Sequence, residues 1–89
     1  MNVTTLRRTP SAGVRSVAVD DNLVLVDQVS GQYFGLNEVG REIWQLLEQG
    51  HDVAAIVQAI AKEFDASEEL IATDTHRVLD DLAQAGLIV

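Results

Sequence analysis

Cysteine is absent from the chain. That excludes a disulfide framework and a thiolate metal centre, so helix and strand packing must supply the stability, as suits a reducing compartment. Proline occurs once, inside the breaker cluster Thr9-Pro10-Ser11-Ala12-Gly13, which sets residues 1–12 apart as an arm or a weakly paired first strand. Positive charge is scarce: 6 Lys and Arg against 14 Asp and Glu give −8. Residues 1–19 hold three Arg and no acid, for +3, whereas residues 20–89 hold three bases and all 14 acids, for −11. So acidic a surface repels phosphate backbones and argues against nucleic-acid binding. Long apolar runs are missing too. The longest uncharged helical run, Val53 to Ala61, falls far short of the ~20 residues that span a bilayer. Arg7 and Arg8 are followed by Thr9, Pro10 and Ser11 and not by an apolar stretch, so no targeting segment is legible. The expectation is a soluble, cytoplasmic protein with no membrane partner.

What remains is an ordinary globular composition, 47% hydrophobic and 22% charged, in 89 residues. That is one domain, over residues 13–89 behind the arm, and at this size folding buries only about 60% of the chain's surface. The first 36 residues are rich in Val, Thr, Gly and Ser and the remainder in Ala, Leu, Ile, Glu and Asp, so strands precede helices. The pattern predicts strands over Val14 to Val19, Leu23 to Val26 and Gln32 to Leu36, joined by turns at Asp20-Asp21-Asn22 and Ser30-Gly31. A first helix runs from the cap Asn37 through Val39, Ile43, Leu46 and Leu47 to a stop at Gly50. Asp52 caps a second, with Val53, Ile56, Val57, Ile60 and Phe64 on one face. A third starts either at Asp65, with Glu68 closing a capping box, or at Ser67. Its stripe is Leu70 or Ile71, then Val78, Leu79 and Leu82, up to Gly86. The apolar tail Leu87-Ile88-Val89 must pack on something. The predicted fold class is α+β, a three-stranded antiparallel sheet followed by three helices.

Catalytic and metal-binding patterns are not found. His51 and His76 lie far apart with no partner at ligand spacing, and read as solvated histidines. The adjacent pairs Asp20/Asp21, Glu68/Glu69 and Asp80/Asp81 diverge on regular structure and share no proton. Val24 stands where a calcium loop starting at Asp20 needs an oxygen ligand. No phosphate-binding glycine loop and no nucleophile elbow occurs. The reading is a non-enzymatic protein with no metal and no cofactor.

One segment stands out. From Gln28 to Asn37 there is neither charge nor proline. Strand edges are normally guarded by Lys, Pro or a bulge, because their free N–H and C=O groups recruit other strands. If the strands form a simple meander, Gln32 to Leu36 is an unguarded edge, and Gly35 lets another backbone approach. Either an extended peptide adds there as a strand, or the third helix or the N-terminal arm covers it. A homodimer through the same edge is a further expectation. Gln32, Phe34 and Leu36 share one face, with Leu36 in the core and Phe34 at the sheet–helix boundary, where it can wall a groove. Trp44, next to Ile43, reads as core.

These residues carry a resemblance. Val24-Leu25-Val26-Asp27, then Ser30-Gly31-Gln32-Tyr33-Phe34-Gly35-Leu36-Asn37, then Gly40, Ile43-Trp44, Leu46-Leu47 and Gly50 together resemble the PqqD-like family. Val53, Ile56, Leu79, Leu82 and Gly86-Leu87-Ile88 extend it over residues 14 to 88. The resemblance implies a winged helix-turn-helix-like domain that recognises the leader segment of a ribosomally made precursor peptide, a RiPP recognition element. It implies that the leader adds as a strand along Gln32, Tyr33, Phe34, Gly35 and Leu36. The opposite wall would be the third helix around Asp74, Thr75, Val78, Leu79 and Leu82, with periodicity leaving Val78 and Leu82 equally placed for the core. The implied partner is a leader peptidase or other peptide-modifying enzyme. The Gly31-to-Trp44 stretch is more similar to the stand-alone lasso-peptide subgroup than to the pyrroloquinoline quinone pathway protein, which is the alternative. The acidic third helix (Glu68, Glu69, Asp74, Asp80, Asp81) would favour a leader bearing Lys or Arg. A DNA-binding winged helix would need a basic recognition helix, but Lys62 and Arg77 stand alone on the second and third.

Overall fold

The computed structural model describes residues 8–89. Strands β1 (Val14–Val19), β2 (Asn22–Asp27) and β3 (Tyr33–Leu36) come first, followed by helices α1 (Glu38–Glu48), α2 (Val53–Glu63) and α3 (Glu68–Gln84). The sheet is an antiparallel meander in the order β1-β2-β3. This is the predicted α+β class, with the strand-then-helix order set by the composition shift near Leu36.

The turns are built from side chains that bond their own main chain. Asp20 takes a left-handed conformation (φ 55°) in the two-residue β1–β2 turn, which aspartate tolerates better than most residues. That shortens the turn, so Asn22, expected within it, opens β2 opposite Val19. In the next turn Asp27 Oδ1 accepts the N–H of Val29 at 2.9 Å and of Ser30 at 3.4 Å. Those donors, Val29 foremost, hold the Asp27 carboxyl below its ordinary range. Gln32, expected as the first residue of the third strand, instead finishes this turn. Its N–H goes to Ser30 Oγ, although its C=O already accepts Asp27 N–H.

The helices begin where short polar side chains satisfy free backbone donors. Asn37 Oδ1 accepts from Gly40 N, Asp52 Oδ1 from Ala55 N, and Ser67 Oγ from Leu70 N. Ser67 is therefore the cap of α3. Asp65, the other candidate, is the left-handed residue (φ 50°) that ends α2, with Ala66 N–H returning to Ala61 C=O. In the stripe of α3 it is Ile71 that is buried, while Leu70 is 66% exposed. Trp44, Ile43 and Leu47 of α1 join Leu23, Leu25 and Leu36 of the sheet in one core with Ile56, Ile60, Leu79 and Leu82.

Layering decides where the surface opens. α1 is the helix that packs on β2 and β3, while α2 and α3 pack on α1 and on each other. Among the described residues no Cα of α3 comes within 8 Å of a Cα of β3. After α3 the chain turns at Gly86, whose φ of 75° suits only glycine well, and Leu87 N–H bonds back to Leu82 C=O. Leu87 and Ile88 are thereby buried, as the apolar tail required, and Val89 stays exposed. The partner of the tail is the end of the N-terminal arm: Pro10 bridges Ile88, and Ser11 N–H bonds Leu87 C=O at 2.9 Å. The first seven residues of the expected arm lie outside the described ones. None of the described helices is long and apolar enough to cross a membrane.

Candidate functional site

The phase of the sheet hydrogen bonds determines what β3 offers on its outer side. Asp27 N–H bonds Gln32 C=O, and on the other flank Gln28 N–H bonds Gly13 C=O. Alternation from these two bonds makes Leu25/Phe34 and Leu23/Leu36 the bonded pairs of the β2–β3 ladder. The main-chain groups of Tyr33 and Gly35 therefore point away from β2, and no strand among the described residues takes them up. The side chains divide the other way. Phe34 and Leu36 point inward with Leu25 and Leu23, and Tyr33, 75% exposed, lies on the outer face with Gly35.

Beside this edge runs a groove of about 240 Å³ lined by Phe34, Gly35, Leu36, Asn37, Gly40, Arg77, Val78 and Asp81. β3 forms one wall, α3 the other, and the first turn of α1 the floor. Gly40 is what keeps that floor low: a Cβ there would sit 3.0 Å from Leu36 Cδ2 and 3.1 Å from Leu36 Cβ. The arrangement suits an extended backbone, with main-chain partners on one side and side-chain contacts on the other.

The residues expected from the sequence separate into two groups. Phe34 and Val78, both half-buried, face the groove together with Gly35. Thr75, Leu79 and Leu82 do not: they are 0%, 3% and 0% exposed, and form the core side of α3. The apolar stripe of the helix thus points at α1 and α2, and only its edge at Val78 reaches the groove. Leu36 is buried as well, at 5% exposed, and serves as the inner end of the wall. Asp74 is not part of the lining; its exposed carboxylate meets Arg77 Nη2 at 3.6 Å. Arg77, Asn37 and Gly40 were not among the expected site residues, and Asp81 was named only as one of the acids of the third helix. The spacing 74, 77, 78, 81 is a helix face in its own right, but three of its four residues are charged, and the apolar stripe drew the reading toward Leu79 and Leu82.

A second hollow, of about 290 Å³, lies between α2 and α3, with Val53, Ala54, Val57, Ala72, Glu68 and His76 among its walls. It is larger and more apolar, yet lined by helices alone, with no strand edge beside it. His76 at its rim and His51 are both exposed, and among the described residues no three His, Asp or Glu gather to hold a metal.

A solved structure described as TbiB1 in complex with the TbiA(beta) leader peptide superposes with a TM-score of 0.84 at 38% identity, covering 90% of this chain and 93% of that one. A second, lasso peptide synthetase B1 complexed with the leader peptide, superposes with a TM-score of 0.85, covering 94% and 99%; at 24% identity it speaks for the fold alone. Two curated relatives, the PqqA binding proteins of two strains of Rhodopseudomonas palustris, are each 38% identical over 52 residues. That stretch is 58% of this chain and 51% of each relative, so the match spans about half the length of those proteins. Residues 22–88, from the first residue of β2 to the buried Ile88, match the family described as Coenzyme PQQ synthesis protein D (PqqD), and the chain belongs to that family.

Proposed function

We propose that this chain binds the leader segment of a ribosomally made precursor peptide and presents it to a modifying enzyme or leader peptidase, in lasso-peptide biosynthesis. It is a binding domain and performs no catalysis. One observation carries the reading: the main-chain groups of Tyr33 and Gly35, unpaired by any strand among the described residues, border the groove walled by Phe34 and Val78. A leader laid there gains hydrogen bonds that hold its register, whatever its sequence, and seats one or two apolar side chains against Phe34 and Val78. Binding must exceed the ordering entropy of a flexible segment, so those few anchors dominate the affinity. The likeness to the leader-bound TbiB1 structure supports this reading.

The pyrroloquinoline quinone pathway is the second reading, favoured by the 38% identity to the PqqA binding proteins. The test is an amide-resolved NMR titration of the full chain with the leader of the precursor encoded beside its gene. Shifts concentrated at Tyr33 to Leu36 and at Arg77 to Asp81 are expected. A saturating leader that leaves both stretches unmoved overturns the proposal. Parallel titrations with a lasso precursor leader and a PqqA-type peptide separate the two pathways. A rise in molecular size with protein concentration would mark the edge as a contact between copies.

A further inference from the structure

Two opposite charges line the groove. Arg77 and Asp81 both line it, four residues apart on α3, and its remaining walls carry no charge. The only ion pair among the described residues joins Arg77 to Asp74; it is long, at 3.6 Å, with side chains 71% and 54% exposed. Such a pair holds the guanidinium loosely, and an incoming carboxylate can take it by a two-point fork. Asp81 has no ion-pair partner among the described residues.

The acid-rich α3 taken as a whole would attract any basic peptide. Arg77 changes that inside the groove, because a leader carrying only Lys or Arg brings a like charge against it. The spacing then matters. Four residues of helix rise about 6.0 Å, and alternate residues of a strand about 6.6 Å. Alternate side chains of an added strand, those opposite Phe34 and Leu36, point to the same side as the groove. A strand lying along α3 thus sets two successive inward residues at nearly the separation of the two charges.

Resting on the strand-addition reading, we propose that Arg77 and Asp81 are specificity residues that select a segment with one acidic and one basic residue two positions apart, both directed into the groove. The acid displaces Asp74 from Arg77, and the base pairs with Asp81. The order of the two along the peptide reports whether the added strand runs parallel or antiparallel to β3.

The experiment is a selection from a displayed library of random 15-residue peptides against the immobilised full chain, repeated with the charge-exchanged variant Arg77→Glu/Asp81→Arg. Both positions are exposed, so the variant folds; a thermal melt checks this, with Arg77→Ala and Asp81→Ala as milder substitutes. The native chain should enrich acid-x-base peptides in one order, and the variant the reverse order. In fluorescence anisotropy the preferred peptide should bind about fivefold tighter than its base-x-base counterpart. Asp74→Asn should tighten the preferred peptide further. Enrichment of one charge pattern by both proteins, or of basic peptides alone, overturns the inference. If such peptides still shift the Tyr33 and Gly35 amides, the strand-addition reading stands without it. If enriched peptides leave those amides unmoved, the reading fails and the inference with it.

Discussion

Gly40 in the first turn of α1 lies against Leu36 at the end of β3, so closely that a methyl group on Gly40 would meet Leu36 Cβ at 3.1 Å. Leu36 is packed in the core and its Cβ moves only with the strand. Gly40→Ala should therefore destabilise by about 1 kcal/mol, the overpacking exceeding the gain in helix propensity. Urea unfolding would measure the loss. The same methyl raises the groove floor, so binding of a leader peptide should weaken beyond what lost stability explains.

Phe34 and Val78 wall one groove from opposite sides. Phe34→Ala should weaken leader binding by roughly 1–3 kcal/mol, with the fold retained because Phe34 is only half-buried. Calorimetric titration beside a thermal melt separates the two effects. Combined with Val78→Ala, the losses should be non-additive by about 0.5 kcal/mol or more if one leader side chain touches both.

Gly35 turns its N–H away from β2 and has nothing within 4 Å of where a Cβ would lie. Gly35→Pro removes an edge donor without removing a ladder bond, a position at which sheets accept proline. Binding by strand addition should fall by more than about tenfold while circular dichroism stays native. Retention of full affinity would show that the peptide does not pair with this edge.

The Thr75 hydroxyl is completely buried and has no hydrogen-bond partner among the described residues. Thr75→Val keeps the shape and removes the unsatisfied group, so stability should rise by about 1 kcal/mol in denaturant unfolding. Leader binding should be unchanged, since Thr75 faces the core.

Glu42 on α1 has its carboxyl held above the ordinary glutamate range, first by burial, then by the like charge of Glu63, with Arg41 opposing. An acid raised in the folded state binds its proton more readily there than in the unfolded chain. The stability linked to it is fully present below the ordinary glutamate value and is lost as pH rises through the folded one. Glu42→Gln should thus stabilise at pH 7 by at most about 0.5 kcal/mol, the group being only part-buried and screened by solvent, with no gain at pH 4. Melting curves at the two pH values test this.

The bounds of β1 and the caps Asn37 and Asp52 were legible because each rests on neighbours in sequence. An unguarded third strand was legible for the same reason, from ten residues without charge or proline. The groove side of α3 was not. Periodicity identifies a stripe but not its edge, and the edge depends on where β3 lies across the gap. Thr75 was expected on the groove wall, whereas it continues the line of Ile71 and Leu79 into the core. Arg77 counted only as an isolated base and Asp81 as one of several acids on the third helix, because nothing local placed them in a groove opposite β3. The pairing of Pro10 with Ile88 joins residues at opposite ends of the chain, and only the apolar tail hinted that a partner existed.

That pairing has a topological consequence. Thr9 and Val89 exchange two hydrogen bonds, 3.2 Å and 2.9 Å long, so the path into the domain and the path out of it pass through one point. Joining those ends with a short linker and opening the chain at the exposed Gly50-His51 loop would give a circular permutant with the same core. Equally, a host polypeptide could receive the domain in a surface loop without stretching its own backbone, gaining a peptide-docking appendage on a single pivot.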